Sequence, residues 1–179
     1  MMQHALVWQR NDGGRTAAGY RGDCGDCVVR AIAIATELPY QQVYDALKIA
    51  AQRERPRRGK RSSVRDGVVK ATYRHYLESL GWTWTATMGI GTGCRVHLRA
   101  DELPSGRLIV SLSRHLCAVI DGVIQDTHDP SRDGTRCVYG YWWSGSVPAP
   151  SKVTTSGRAE NTSTAEESKA VSPSSMEVL

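Results

Sequence analysis

Apolar residues recur along this chain with two different periods, and the change falls near its middle. Cys27 to Leu38, CVVRAIAIATEL, is apolar on almost every side, with Arg30 the exception. That pattern predicts a helix buried over most of its surface, with Asp26 as its N-cap. Pro39 resets the chain, and Tyr40 to Arg53 predicts a second helix with Val43, Leu47 and Ala50 on one face. Val68 to Leu80 predicts a third, carried by Val69, Tyr73, Tyr76 and Leu80 and stopped by Gly81 at C′. Beyond it lie strand candidates rich in Val, Ile, Tyr and Trp: Trp82–Thr85, Arg95–Leu98, Arg107–Leu112, His115–Ile120, Val123–Thr127 and Arg136–Trp143. Helices followed by antiparallel strands predict an α+β domain and argue against a doubly wound parallel sheet.

The chain has 179 residues, enough for one domain with a core. Its 40% apolar content argues against wholesale disorder. Phe is absent, so five Trp and seven Tyr supply the large aromatic packing. No run of about 18 apolar residues offers a membrane helix. MMQHALVWQRNDGG lacks the charged and apolar regions of a secretory signal, so a cytoplasmic protein is expected. In a reducing cytosol the five cysteines should be free thiols and not a disulfide scaffold. From Pro148 the chain is rich in Ser, Thr, Pro and Glu and lacks aromatics. The expected organisation is a domain over 1–147 and a disordered tail over 148–179.

The net charge is +5, and a basic run lies between the second and third helices. Arg55, Arg57, Arg58 and Arg61 within it can bind nucleic-acid phosphates. No aromatic stacking residue lies among them, so a solvated insertion is the plainer alternative.

The densest chemistry is in RLIVSLSRHLCAVIDGVIQDTHD, Arg107 to Asp129. Asp121-Gly122 between two apolar runs signals a two-residue hairpin. That turn pairs Ile120 with Val123, Cys117 with Asp126 and His115 with His128. Paired residues share a face, so His115 and Asp126 become diagonal neighbours about 7–8 Å apart along the backbone, within side-chain reach. A histidine held by a carboxylate is the base-and-orienter half of a nucleophilic triad, although Asp129 or His128 can also take the orienter's place. Cys27, in the first turn of the buried helix, supplies the other half. Unpaired N–H groups and the helix dipole there favour a thiolate and can face an oxyanion. Trp142 and Trp143 either roof the pair or seal the sheet end. Gly89–Cys94, GIGTGC, lacks the Lys and Ser/Thr of a phosphate loop and reads as a flexible connection near a groove. Two further readings use the cysteines: Cys24, Cys27, Cys94 and His97 have spacings suited to a structural zinc site, and Cys24 with Cys27 forms a C-x-x-C pair.

The order of a Cys on an early buried helix, a His on a strand and an Asp on the next resembles the papain-like cysteine peptidase superfamily. GDCVVRAIAIAT and RHLCAVIDGVIQDT resemble small phage and bacterial proteins of that fold. CVVRAI is also similar to the nucleophile segment of OTU-type deubiquitinases, where Arg-Ala follows a Cys at the same offset. The resemblance implies N-terminal helices, one bearing a buried nucleophile, packed on an antiparallel sheet. It implies a thiol hydrolase acting on peptides or proteins without a cofactor, in the host cytoplasm if phage-encoded. Cys27 would be nucleophile, His115 general base and Asp126 its orienter. Such enzymes commonly place a Gln before the Cys, and none lies between Asn11 and Cys27. The oxyanion role would then fall to Arg21 or the backbone near Gly25.

Overall fold

The computed structural model describes residues 6–54 and 61–145. The order is β1 (Val7–Arg10), α1 (Cys27–Thr36), α2 (Tyr40–Gln52), α3 (Lys70–Ser79), β2 (Thr83–Ala86), β3 (Arg107–Leu112), β4 (His115–Ile120), β5 (Val123–Asp126) and β6 (Gly140–Trp143). The six strands form one open sheet in the order β1-β5-β4-β3-β6-β2. All three helices appear within a few residues of their expected spans. The domain is α+β, with α1 laid against β4 and the centre of the sheet.

Apolar residues fill both faces of the sheet. On the helix side, Val29 and Ile32 of α1, Leu47 of α2 and Leu77 of α3 bury against Ile109, Ala118 and Trp142. On the other, Leu108, Val110, Cys117, Val119 and Ile124 pack beneath Leu6, Leu98 and Val138. Neighbours along a strand face opposite ways, so Ala118 joins α1 while Cys117 and Val119 join the far layer. A central strand buried on both sides reads as a continuous apolar run, as HLCAVI does.

Four expectations are corrected. The sheet is mixed and not purely antiparallel, because β1 runs parallel to β5, with Arg10 opposite Asp126. VWQR is exposed at every position and lies on the sheet edge, so it carries no core-facing alternation by which to be found. Arg95–Leu98 is no strand; it makes one isolated bridge, His97 to Cys137. Cys94 and Cys137 are joined in a disulfide, against the expectation of free thiols throughout. Finally, Asp26 stands at the N-cap of α1, but its side chain makes no capping hydrogen bond.

The Asp121-Gly122 turn forms as expected, with both residues at positive φ, 47° and 78°. Those angles match the right-handed twist of the flanking strands. The ladder runs Ile120–Val123, Val119–Ile124 and Ala118–Gln125, which fixes the expected register. Glu37, at φ 60°, ends α1 at Thr36 instead of Leu38.

Candidate active site

Three elements converge at the N-terminal end of α1. Cys27 is the first residue of that helix, His115 the first of β4 and Asp126 the last of β5. The Asp126 Oδ2 atom lies 2.5 Å from His115 Nε2. Cys27 lines the same cleft as His115, close enough for thiol and imidazole to shift each other's titration. With Nε2 engaged by Asp126, Nδ1 is the ring nitrogen left for the sulfur. The structure therefore brings Cys27, His115 and Asp126 together at one end of α1.

The electrostatics of this group run in opposite directions at Cys27 and His115. Burial penalises the Cys27 thiolate, but the hydrogen bond from His115, the Leu116 backbone N–H and the positive charges of His115 and Arg30 outweigh it. The thiol is held below its ordinary value of 9.0. Burial likewise opposes the charged imidazole, yet the bonds to Asp126 and Cys27 raise His115 from 6.5 to about 9. The two shifts favour a thiolate beside an imidazolium. Cys117 provides a contrast two residues along β4: it is fully buried in the far layer, and burial pushes its thiol well above the ordinary value.

The Asp126 carboxylate is fixed from several sides. Its Oδ1 accepts the Thr127 backbone N–H at 2.7 Å and lies 3.7 Å from Arg30 Nη2. Its own carbonyl accepts Asn11 N–H at 2.9 Å and the Trp8 indole N–H at 3.2 Å. The edge strand β1 and the residue after it thus hold the Asp126 backbone. No core periodicity marks β1, so this contribution was hidden in the sequence. Arg30, by contrast, had a visible signal as the lone charge on an apolar helix.

With Asp126 behind the imidazole, Cys27 and His115 line a cleft of about 480 Å³. Gly25, Cys24, Asp66, Lys70, Arg114 and His128 are among the residues around it. Gly25 fits closely there: a Cβ at this position would stand 3.0 Å from the Asp66 carbonyl oxygen, and the Asp66 backbone would have to give way. Because the Asp26 side chain does not cap α1, no side chain competes for the first-turn N–H groups beside Cys27. Such groups can receive a developing oxyanion.

The other sequence candidates are scattered. Arg21 is exposed and lies outside the cleft lining. Arg55, Arg57 and Arg58 fall outside the described residues, and Arg61 is exposed near Tyr44 and Lys48, away from Cys27. The tail over 148–179 also falls outside them. Trp142 is buried under the helices, Trp143 hydrogen-bonds Thr85, and neither borders the cleft. The Gly89–Cys94 loop is exposed or half-exposed and does not border it either.

The zinc set Cys24, Cys27, Cys94 and His97 does not assemble. Cys94 is bonded to Cys137, and His97 Nδ1 lies 3.1 Å from Glu102. Among the described residues, the ligand atoms of His115, Asp126 and His128 do lie within 4.8 Å of one another. Two of those groups already lie in hydrogen-bond contact at 2.5 Å, and a cation would have to break that contact. No helix among the described residues is long and apolar enough to cross a membrane. No family model, curated protein or solved structure matches the chain.

Proposed function

We propose that the protein is a papain-like thiol hydrolase acting on peptide or isopeptide bonds, with Cys27, His115 and Asp126 as its catalytic triad. The observation that carries this reading is the His115–Asp126 hydrogen bond facing the same cleft as Cys27 at the start of α1. A buried cysteine that served only packing would need neither a paired base nor a cleft.

In this reading the Cys27 thiolate attacks the scissile carbonyl carbon, and the electron pair moves onto the oxygen. First-turn N–H groups of α1 receive that oxyanion. His115, as imidazolium, gives its proton to the leaving amine, and a thioester to Cys27 remains. Water then attacks the thioester while His115 accepts its proton, and the thiolate leaves. Asp126 holds the ring so that Nδ1 faces the sulfur throughout. The substrate is a peptide or protein amide, taken in the cleft beside Gly25 and Asp66.

Alkylation with iodoacetamide at neutral pH, read by mass spectrometry of the peptide containing residue 27, tests the nucleophile. The expected adduct is on Cys27; Cys27→Ser removes it and Cys24→Ser keeps it. Turnover of a fluorogenic peptide library should follow the same pattern. Equal labelling in both variants would refute the assignment.

A further inference from the structure

Asp26 and Arg30 are two of the few charged side chains in the core, and both lie within one turn of Cys27. Asp26 is 1% exposed and Arg30 8%. Tyr40 Oη donates to Asp26 Oδ2 at 2.6 Å, and Arg15 Nε lies 2.9 Å from the same oxygen. Asp26 Oδ1 accepts Arg30 Nη1. The other terminal nitrogen of Arg30, Nη2, turns to Asp126 Oδ1 at 3.7 Å. One guanidinium therefore spans two buried carboxylates, one on the nucleophile helix and one on the sheet.

We infer that Arg30 is a positioning residue of the relay: anchored on Asp26, it holds the second oxygen of Asp126 and stands as a fixed cation one turn below the thiol. This rests on the proposed role of Cys27, His115 and Asp126. With Oδ1 engaged by Arg30 and Thr127, the carboxylate presents Oδ2 to His115 in a single rotamer. A rigid fork suits that task, whereas a lysine ammonium is a point charge on a flexible stem. The same cation lies on the cleft wall with Cys27 and stabilises its thiolate form. Asp26 explains why burial of the cation is tolerated, since a buried charge needs a paired and hydrogen-bonded partner. Its negative charge beside the thiol is in turn offset by Arg15, Arg30 and Tyr40.

The test is the pH profile of iodoacetamide alkylation at Cys27 in the full chain, in a Cys24→Ser background. Wild-type protein should be alkylated well below the ordinary thiol range, and His115→Ala should remove that low-pH reactivity. Arg30→Met should fold, because Asp26 retains Arg15 and Tyr40. Its alkylation at pH 6 should fall about tenfold, with the rate recovered at higher pH, an order-of-magnitude expectation for removing one nearby charge. A purely structural role would lower the amplitude at every pH without moving the profile. If Arg30→Met does not fold, Arg30→Lys serves: one ammonium cannot span both carboxylates, so its profile should shift part of the way. A profile coincident with wild type in either folded variant overturns the assignment of Arg30 alone. An ordinary free-thiol profile in the wild type, unchanged in His115→Ala, overturns the triad and Arg30 together.

Discussion

The two ends of α1 make an instructive pair. Each abuts a cleft of similar size, and each carries arginine chemistry. At the C-terminal end, Arg107 donates to the Ile34 and Ala35 carbonyls at 2.7 and 2.8 Å and pairs with Glu37 at 3.0 Å. Those groups satisfy one another and complete the helix. At the N-terminal end the arginines are engaged by Asp26 and Asp126, while no side chain caps the first turn and Cys27 and His115 line the cleft. A concave surface beside charged residues marks no site by itself. Groups left able to react do.

Three measurements bear on that contrast. The largest effect is expected from His115→Ala, which removes the base: peptide turnover should fall on the order of 10²- to 10⁴-fold. Alkylation of Cys27 at pH 7 should fall by the smaller factor, up to about 10², set by loss of thiolate. A fall in turnover of less than tenfold would place the reactive chemistry elsewhere.

Next, turnover should follow a bell in pH. Its alkaline edge should lie near the pKa of about 9 at which His115 loses its proton, with turnover falling roughly tenfold per unit beyond it. The acid edge should lie below the ordinary thiol value, where Cys27 gains its proton. The same shift bears on stability: the His115 value rises on folding from 6.5 to about 9. Its contribution is complete below about pH 6.5 and is lost as the pH climbs through 9. The depressed Cys27 value acts in the opposite sense over the same interval. The His115 part is therefore read as the difference in melting temperature between Cys27→Ser and Cys27→Ser/His115→Ala across pH 6 to 10. A difference that grows with pH would contradict it.

The smallest effect on reactivity is expected at the other end of the helix. Arg107→Met should cost about 1–3 kcal/mol of stability by leaving helix carbonyls unpaired. The pH profile of Cys27 alkylation should not move. A shifted profile would mean that the two ends are coupled and that the contrast fails.

Much of the site could be read in advance. The apolar run after Asp26 places Cys27 at a helix start whatever surrounds it, because burying so many Val, Ile and Ala side chains leaves little other choice. The Asp121-Gly122 turn sets the register and so brings His115 near Asp126. What alternation mislocates is the side of the sheet. By parity these two residues fall in line with Cys117, Val119 and Ile124, which belong to the layer away from α1. They are the first residue of β4 and the last of β5, beyond the last rung between those two strands, although His115 still pairs with Leu112 and Asp126 with Arg10.

Local rules thus determined the three helices, the hairpin and the two candidate partners on it, since helix periodicity and turn chemistry act over a few residues. Only the tertiary structure decided that β1 closes the sheet edge in parallel and holds the Asp126 backbone. It also decided that Asp26 gives up its cap to neutralise arginines, that Cys94 meets Cys137 across 43 residues, and that thiol and imidazole meet at all. Each of these depends on groups far apart in sequence whose meeting is fixed by packing the whole core, and no pattern in a short window encodes it.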